Sequence, residues 1–259
     1  MLKSGRPENG RGSGFPAAAL APTAAKCYLC GQRTYHSMTN NTTDRNATAP
    51  KGTLPLEHFF RNAQEAAFQL SPDGRLLAYM APHNDRMNIF VKPTAGGEAV
   101  RLTDETERSV AGYMWADNGR LLFMKDTAGD ENYRLYGVNA DGSDLRAYTD
   151  FEGVRTVLID DLEETPDMVM IGLNRRNPEV FDPYRLNIRT GELTQLAENP
   201  GNWQGWMTDH EGRLRAVTAI VDGVNTQILY RDNDGEDFRP VLTTNFKEMV
   251  NFMEFTPDN

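Results

Sequence analysis

The residue types able to do chemistry in this chain are few and scattered. Cys27 and Cys30 are its only cysteines and stand as Cys-Tyr-Leu-Cys-Gly, a spacing that can form half of a zinc site or a redox dithiol. A structural zinc site needs a second pair, and none follows; the nearest extra ligand is His36, and no βαβ pattern surrounds the pair. No metal, cofactor or redox role is therefore expected. Nucleophilic hydrolysis would need a serine on a strained Gly-x-Ser-x-Gly turn, with His and Asp partners. Of Ser4, Ser13, Ser37, Ser71, Ser109 and Ser143, none has glycine at both required positions, and His36, His58, His83 and His210 stand in no partner constellation. No residue of this chain is expected to be catalytic.

What the chain does carry is a recurring turn. It reads Leu70-Ser-Pro-Asp-Gly-Arg-Leu-Leu-Ala-Tyr79, and returns as Trp115-Ala-Asp-Asn-Gly-Arg-Leu-Leu-Phe123 and Thr208-Asp-His-Glu-Gly-Arg-Leu-Arg-Ala216, with a last partial copy at Phe255-Thr-Pro-Asp-Asn259. Gly74, Gly119, Pro166, Gly212 and Asn259 mark the register at steps of 45 to 47 residues. Ser71, Pro72, Asp73 and Gly74 make the clearest turn; Asn118, Gly119, Gly212, Pro257 and Asp258 hold equivalent places, and all are read as structural. The Ser71 hydroxyl is expected to organise its local backbone. A second turn series runs through Gly96-Gly97, Asp141-Gly142, Gly191 and Asp234-Gly235, each between two short apolar runs. Such pairs tolerate the positive φ of tight hairpins.

Those turns must join strands. A period of about 40–45 residues suits one four-stranded propeller blade. The chain is therefore expected to be all-β: an incomplete β-propeller of about four four-stranded blades plus the first strand of a fifth. The blades fall near 64–103, 109–150, 154–198 and 203–244, with the next opening at 250–259 as Val250–Thr256. Leu54–Arg61 reads as a short helix or linker. Phe68, Tyr113, Ile159, Trp206 and Phe252 recur in or near first strands and are expected to fill the gaps between sheets.

Composition sets the surroundings. The net charge of −10 divides into +5 over residues 1–52 and −15 over the rest. An acidic body argues against a nucleic-acid surface, since phosphate binding needs clustered Lys and Arg. No stretch of about 18 apolar residues is present, so no spanning helix and no membrane partner are expected. Phe15–Pro22 is too short and too interrupted by proline for a secretory signal. Residues 1–52 read as a disordered basic extension with too little apolar area to offset ordering; the sequons at Asn40, Asn41 and Asn46 fall there as chance matches. The cysteine-free body needs no disulfide, which suits the cytoplasm, with the periplasm as the alternative.

Leu70–Tyr79, followed by Asn88-Ile-Phe-Val91, Gly96-Gly97 and Arg101-Leu-Thr103, resembles the Pro-Asp-type propeller repeat shared by TolB-like proteins and the prolyl oligopeptidase family of serine peptidases. Gly129-Asp-Glu-Asn-Tyr-Arg-Leu-Tyr136 is similar to the second-blade phrase of that family's acylaminoacyl-peptidase and dipeptidyl-aminopeptidase branch. The resemblance covers about residues 53–259. It implies a propeller that restricts peptide access to an α/β-hydrolase domain bearing a Ser-Asp-His triad, and that domain is expected to be missing here. It also implies that loop acids could meet a substrate's free amino end. Asp130 and Glu131 are the candidates, with Tyr133 and Arg134 beside them. The expected partner is thus a peptide substrate, reached through the hydrolase. The alternative is a TolB-like propeller that docks a protein partner.

Overall fold

Short runs in which apolar and polar residues alternate, bounded by turn residues, become sixteen strands among the described residues of the computed structural model. The described residues are 57–60, 63–162, 164, 165, 167–248 and 250–258. The chain divides into two units, Met1–Ala49 and Pro50–Asn259, and all of these residues belong to the second. The readings placed on residues 1–52, Cys27 and Cys30 included, and on Pro166 and Asn259 lie outside the described residues.

After one helical turn, α1 (Glu57–Phe60), the first sheet contains β1 (Ala66–Leu70), β2 (Leu76–His83), β3 (Arg86–Pro93) and β4 (Val100–Arg101). The second contains β5 (Gly112–Trp115), β6 (Arg120–Lys125), β7 (Arg134–Asn139) and β8 (Arg146–Ala147). The third contains β9 (Thr156–Asp160), β10 (Met168–Asn177), β11 (Val180–Asn187) and β12 (Leu193–Gln195). The fourth contains β13 (Trp203–Thr208), β14 (Leu214–Val221), β15 (Asn225–Tyr230) and β16 (Arg239–Thr244). Each sheet is a four-stranded antiparallel meander in chain order. These are four blades of a β-propeller.

Side-chain alternation cements one blade to the next. On β6, Leu121 and Phe123 point into a cluster with Ala78, Ile89 and Val91 of the first blade, while Leu122 between them points into a cluster with Val169, Ile171 and Leu186 of the third. On β10, Met170 turns the other way and meets Leu214 of the fourth. The repeat turns are linked as well. Ser71 Oγ donates to Asp73 Oδ1 at 2.7 Å and accepts the Leu76 N–H at 3.0 Å, as expected of an organising hydroxyl. Gly74 supplies the left-handed residue at φ 71°. Asn118, one repeat on, accepts the N–H of Asp73 at 2.9 Å, so the second blade completes the turn of the first.

Two expectations fail. Residues 250–256 form no strand, because no strand among the described residues pairs with them; the Phe255 carbonyl meets the His210 ring at 3.3 Å instead. Pro257 and Asp258 nonetheless form a turn. Phe68 does not fill a gap between sheets: it is 51% exposed on the outer side of the first blade and stacks on Tyr79 at 5.6 Å. No sheet lies on that side among the described residues to bury it. Tyr113 and Trp206 do pack between blades, and burial pushes the Tyr113 phenol above its usual range.

Candidate functional site

The loop Asp126–Tyr133 joins β6 to β7 at one end of the second blade. Three of its residues, Ala128, Gly129 and Glu131, have left-handed backbone at φ 52°, 83° and 57°. Two of them are not glycine, so the loop needs outside support to hold that geometry. The support is polar. Asp126 is buried and takes the Arg108 Nε at 3.2 Å and the Glu131 N–H at 3.4 Å. Asp130 accepts the N–H groups of Thr127 at 3.2 Å and Asn132 at 3.1 Å, the local closure typical of a turn aspartate. Gly129 answers to its left-handed backbone and not to space: a Cβ there would make ordinary contact with the Arg108 guanidinium carbon at 3.7 Å.

Arg134 is the anchor beneath. It is buried, donates from Nη1 to Thr127 Oγ1 at 2.7 Å and from Nη2 to Asp130 at 3.3 Å, and sets Nε 3.3 Å from the Asp150 carboxylate. Nε makes no hydrogen bond, so its charge contact with Asp150 alone offsets burial. Desolvation would raise the Asp130 carboxyl, but the N–H groups of Asn132 and Thr127 and the charge of Arg134 hold it below its ordinary value.

The four residues expected to meet substrate therefore divide in two. Asp130 and Arg134 hold each other and the loop, Arg134 buried and Asp130 at the surface. Glu131 is exposed, and among the described residues its carboxylate has no hydrogen bond or ion-pair partner. Tyr133 is half-buried beside it, under the Arg155 guanidinium at 5.8 Å, while its carbonyl accepts the Thr156 N–H at 2.8 Å. Around them Lys125 pairs with Glu105 at 2.7 Å and Arg108 with Asp126. The result is a braced loop with two exposed carboxylates, Asp130 tied to the loop and Glu131 without a direct partner among the described residues, beside a phenol ring. It can receive an ammonium group, and a carboxylate of this kind has no nucleophile or base beside it for hydrolysis.

Sequence reasoning missed Arg108, Asp126, Asp150 and Arg155. All but Asp126 come from the connections between blades, which return to the same end as the β6–β7 loop; that connectivity was the available signal. The described serines are committed elsewhere. Ser71 organises its turn, Ser109 Oγ accepts the Met87 N–H at 3.0 Å, and Ser143 Oγ donates to Asp141 at 2.6 Å. Among the described residues no group of three His, Cys, Asp or Glu side chains converges on a metal position. The remaining turn residues hold backbone: the Gly119 N–H binds Asp117 at 2.6 Å, and Gly212, at φ 72°, gives its carbonyl to Arg185 at 2.7 Å.

No protein-family model matches the chain. Over 200 residues it is 26% identical to dipeptidyl aminopeptidase BIII of Pseudoxanthomonas mexicana, covering 74% of this chain and 29% of that protein. Over 196 residues it is 28% identical to dipeptidyl peptidase family member 6 of Caenorhabditis elegans, covering 70% of this chain and 26% of that protein. The homologues of this chain are dipeptidyl aminopeptidases. It spans less than a third of the length of either. A chain from a structural study of two prolyl endopeptidases overlays with a TM-score of 0.51 at 12% identity, over 69% of this chain and 28% of that one, a likeness of fold. The second-blade phrase points to the same branch as these relatives.

Proposed function

We propose that residues 53–259 are the propeller portion of a dipeptidyl-aminopeptidase-like serine peptidase, a non-catalytic part that restricts peptide access to a hydrolase site outside this chain. Within it, Glu131 receives the free amino end of a short peptide, with Tyr133 beside it and Asp130 and Arg134 fixing the loop. The single observation that carries this reading is the Glu131 carboxylate, exposed on a braced left-handed backbone and without a direct partner among the described residues. The 26% identity over 200 residues to a dipeptidyl aminopeptidase supports the peptidase part of the reading.

The test has two arms. A dipeptide amide with a free amino end, titrated into the chain, should shift the amide signals of residues 126–134, and its Nα-acetylated counterpart should not. Glu131→Gln should abolish the difference; equal binding of both peptides would refute the amino-end role. A serine-directed fluorophosphonate probe should leave the chain unlabelled. Stoichiometric labelling of any serine would refute the non-catalytic assignment.

A further inference from the structure

An open cavity lies between the third and fourth blades, far along the chain from the Glu131 loop. It encloses about 690 Å³, within the range of small-ligand sites. One wall is the connection from β12 to β13, and the buried Asn199 makes it rigid. Its Oδ1 accepts the N–H groups of Gly201 at 2.8 Å and Trp203 at 3.1 Å, and its own N–H reaches the fully buried Asp182 at 2.7 Å. The other wall is the face of β15 and the turn before β16.

The floor is apolar. Leu196, Trp203, Leu229 and Phe238 line it, with the Trp203 and Phe238 rings edge to face at 5.1 Å. Arg231 also reaches the cavity, but it is buried, lies over the Phe238 ring at 4.4 Å, and is neutralised by Asp234 at 2.8 Å. The rim is acidic. Glu198, Glu236 and Asp237 stand around the opening, and among the described residues the Glu198 and Asp237 carboxylates take no hydrogen bond or ion pair. An apolar floor suits a hydrocarbon stem, and carboxylates without a direct partner near an indole suit a cation at its end.

We propose that this cavity binds lysine side chains of a basic segment of a partner polypeptide. The charge complementarity rests on four carboxylates lining the cavity against one guanidinium: Arg231 and Arg185 both pair with Asp234 at 2.8 Å, Arg176 acts on Glu198 from outside the lining, and an acidic excess remains with Glu236 and Asp237. The stem would lie on Trp203 and Leu229, and the ammonium would sit between Glu198 and Asp237. The site is independent of the Glu131 loop, and Glu131→Gln should leave it unchanged.

The experiment titrates the full chain with acetyl-Lys-Lys-Lys-amide and with the same peptide acetylated on every Nε, following the three tryptophan indole N–H signals by NMR. The Trp203 signal, assigned by its loss in Trp203→Phe, should move, while Trp115 and Trp206 stay. Glu198→Gln/Asp237→Asn should weaken binding by about fivefold or more. Glu179→Gln/Asp222→Asn, which removes equal charge elsewhere, should not. Absence of binding, equal weakening in both charge variants, equal binding of the acetylated peptide, or a moving Trp115 signal in place of Trp203 would each overturn the proposal. Unchanged amide dispersion in each variant certifies that it is folded.

Discussion

At Gly137 the space for a side chain is already taken. A Cβ there would come within 2.7 Å of Tyr148 Cε2 and 3.0 Å of Arg120 Nη2. Neither neighbour can retreat, since Arg120 is 1% exposed and bonded to Asn139 at 2.7 Å and to Asp144 at 3.0 Å, and Tyr148 reaches on to the Ile188 carbonyl. Gly137→Ala is therefore expected to destabilise the second blade by about 1–3 kcal/mol, read as a lower urea midpoint. Asp209 makes a residue-scale prediction of another kind. Burial acts to raise its pKa, but the Arg213 N–H and the guanidinium groups of Arg213 and Arg215, at 2.7 and 3.2 Å, hold it below the ordinary 3.8. A carboxyl depressed on folding contributes stability above its unfolded value and loses it as pH falls through the folded one. Stability should thus decline below about pH 4, and Asp209→Asn should be less stable at neutral pH yet decline less on acidification. Parallel acid limbs for the two proteins in urea titrations from neutral pH downward would contradict this.

The second and third blades each bury one stripe toward the blade before and the alternate stripe toward the blade after, so an interface fails as a unit. Leu122 is fully buried against the third blade, and Leu122→Ala is expected to cost about 2–5 kcal/mol. Hydrogen exchange should accelerate in β6, β7, β9 and β10 before β14 and β15, because stability in repeat folds is shared between neighbours. Uniform acceleration across all four sheets would contradict the neighbour picture. All sixteen strands were legible in the sequence because period-two alternation and turn chemistry are local. What depends on another segment was not. The third blade's central hairpin runs on to pair Asn177 with Val180, since Arg176 grips Asp182 with two 2.8 Å bonds. Phe68 has the type and position of a core residue, but burial is decided by whether a second sheet covers it. The candidate site divides in the same way: the phrase around Glu131 can be read directly, whereas Arg108, Asp150 and Arg155 reach it from other connections.

At the scale of the whole sheet assembly, the first and fourth sheets carry exposed apolar strand residues among the described residues. Phe68 and Leu70 on β1 are 51% and 58% exposed, and Val241 and Leu242 on β16 are 55% and 46% exposed. Apolar strand surface of this kind promotes association even in an acidic protein. Sedimentation should show a mass that rises with concentration, and Phe68→Lys/Leu70→Lys should reduce the rise; a single monomer mass at every concentration would contradict it. The bond from Asn118 to the backbone of Asp73 has a counterpart in Trp115 Nε1 reaching the Gln69 carbonyl at 3.3 Å, and both cross about one repeat. A ribosome delivers the chain in order, so the first blade emerges with its turn unfinished and waits for a residue 45 positions behind it. At about 5–20 residues per second that wait is about 2–9 s. The smallest piece able to settle during synthesis is then a pair of blades, and a pause in translation would do least harm after each second repeat.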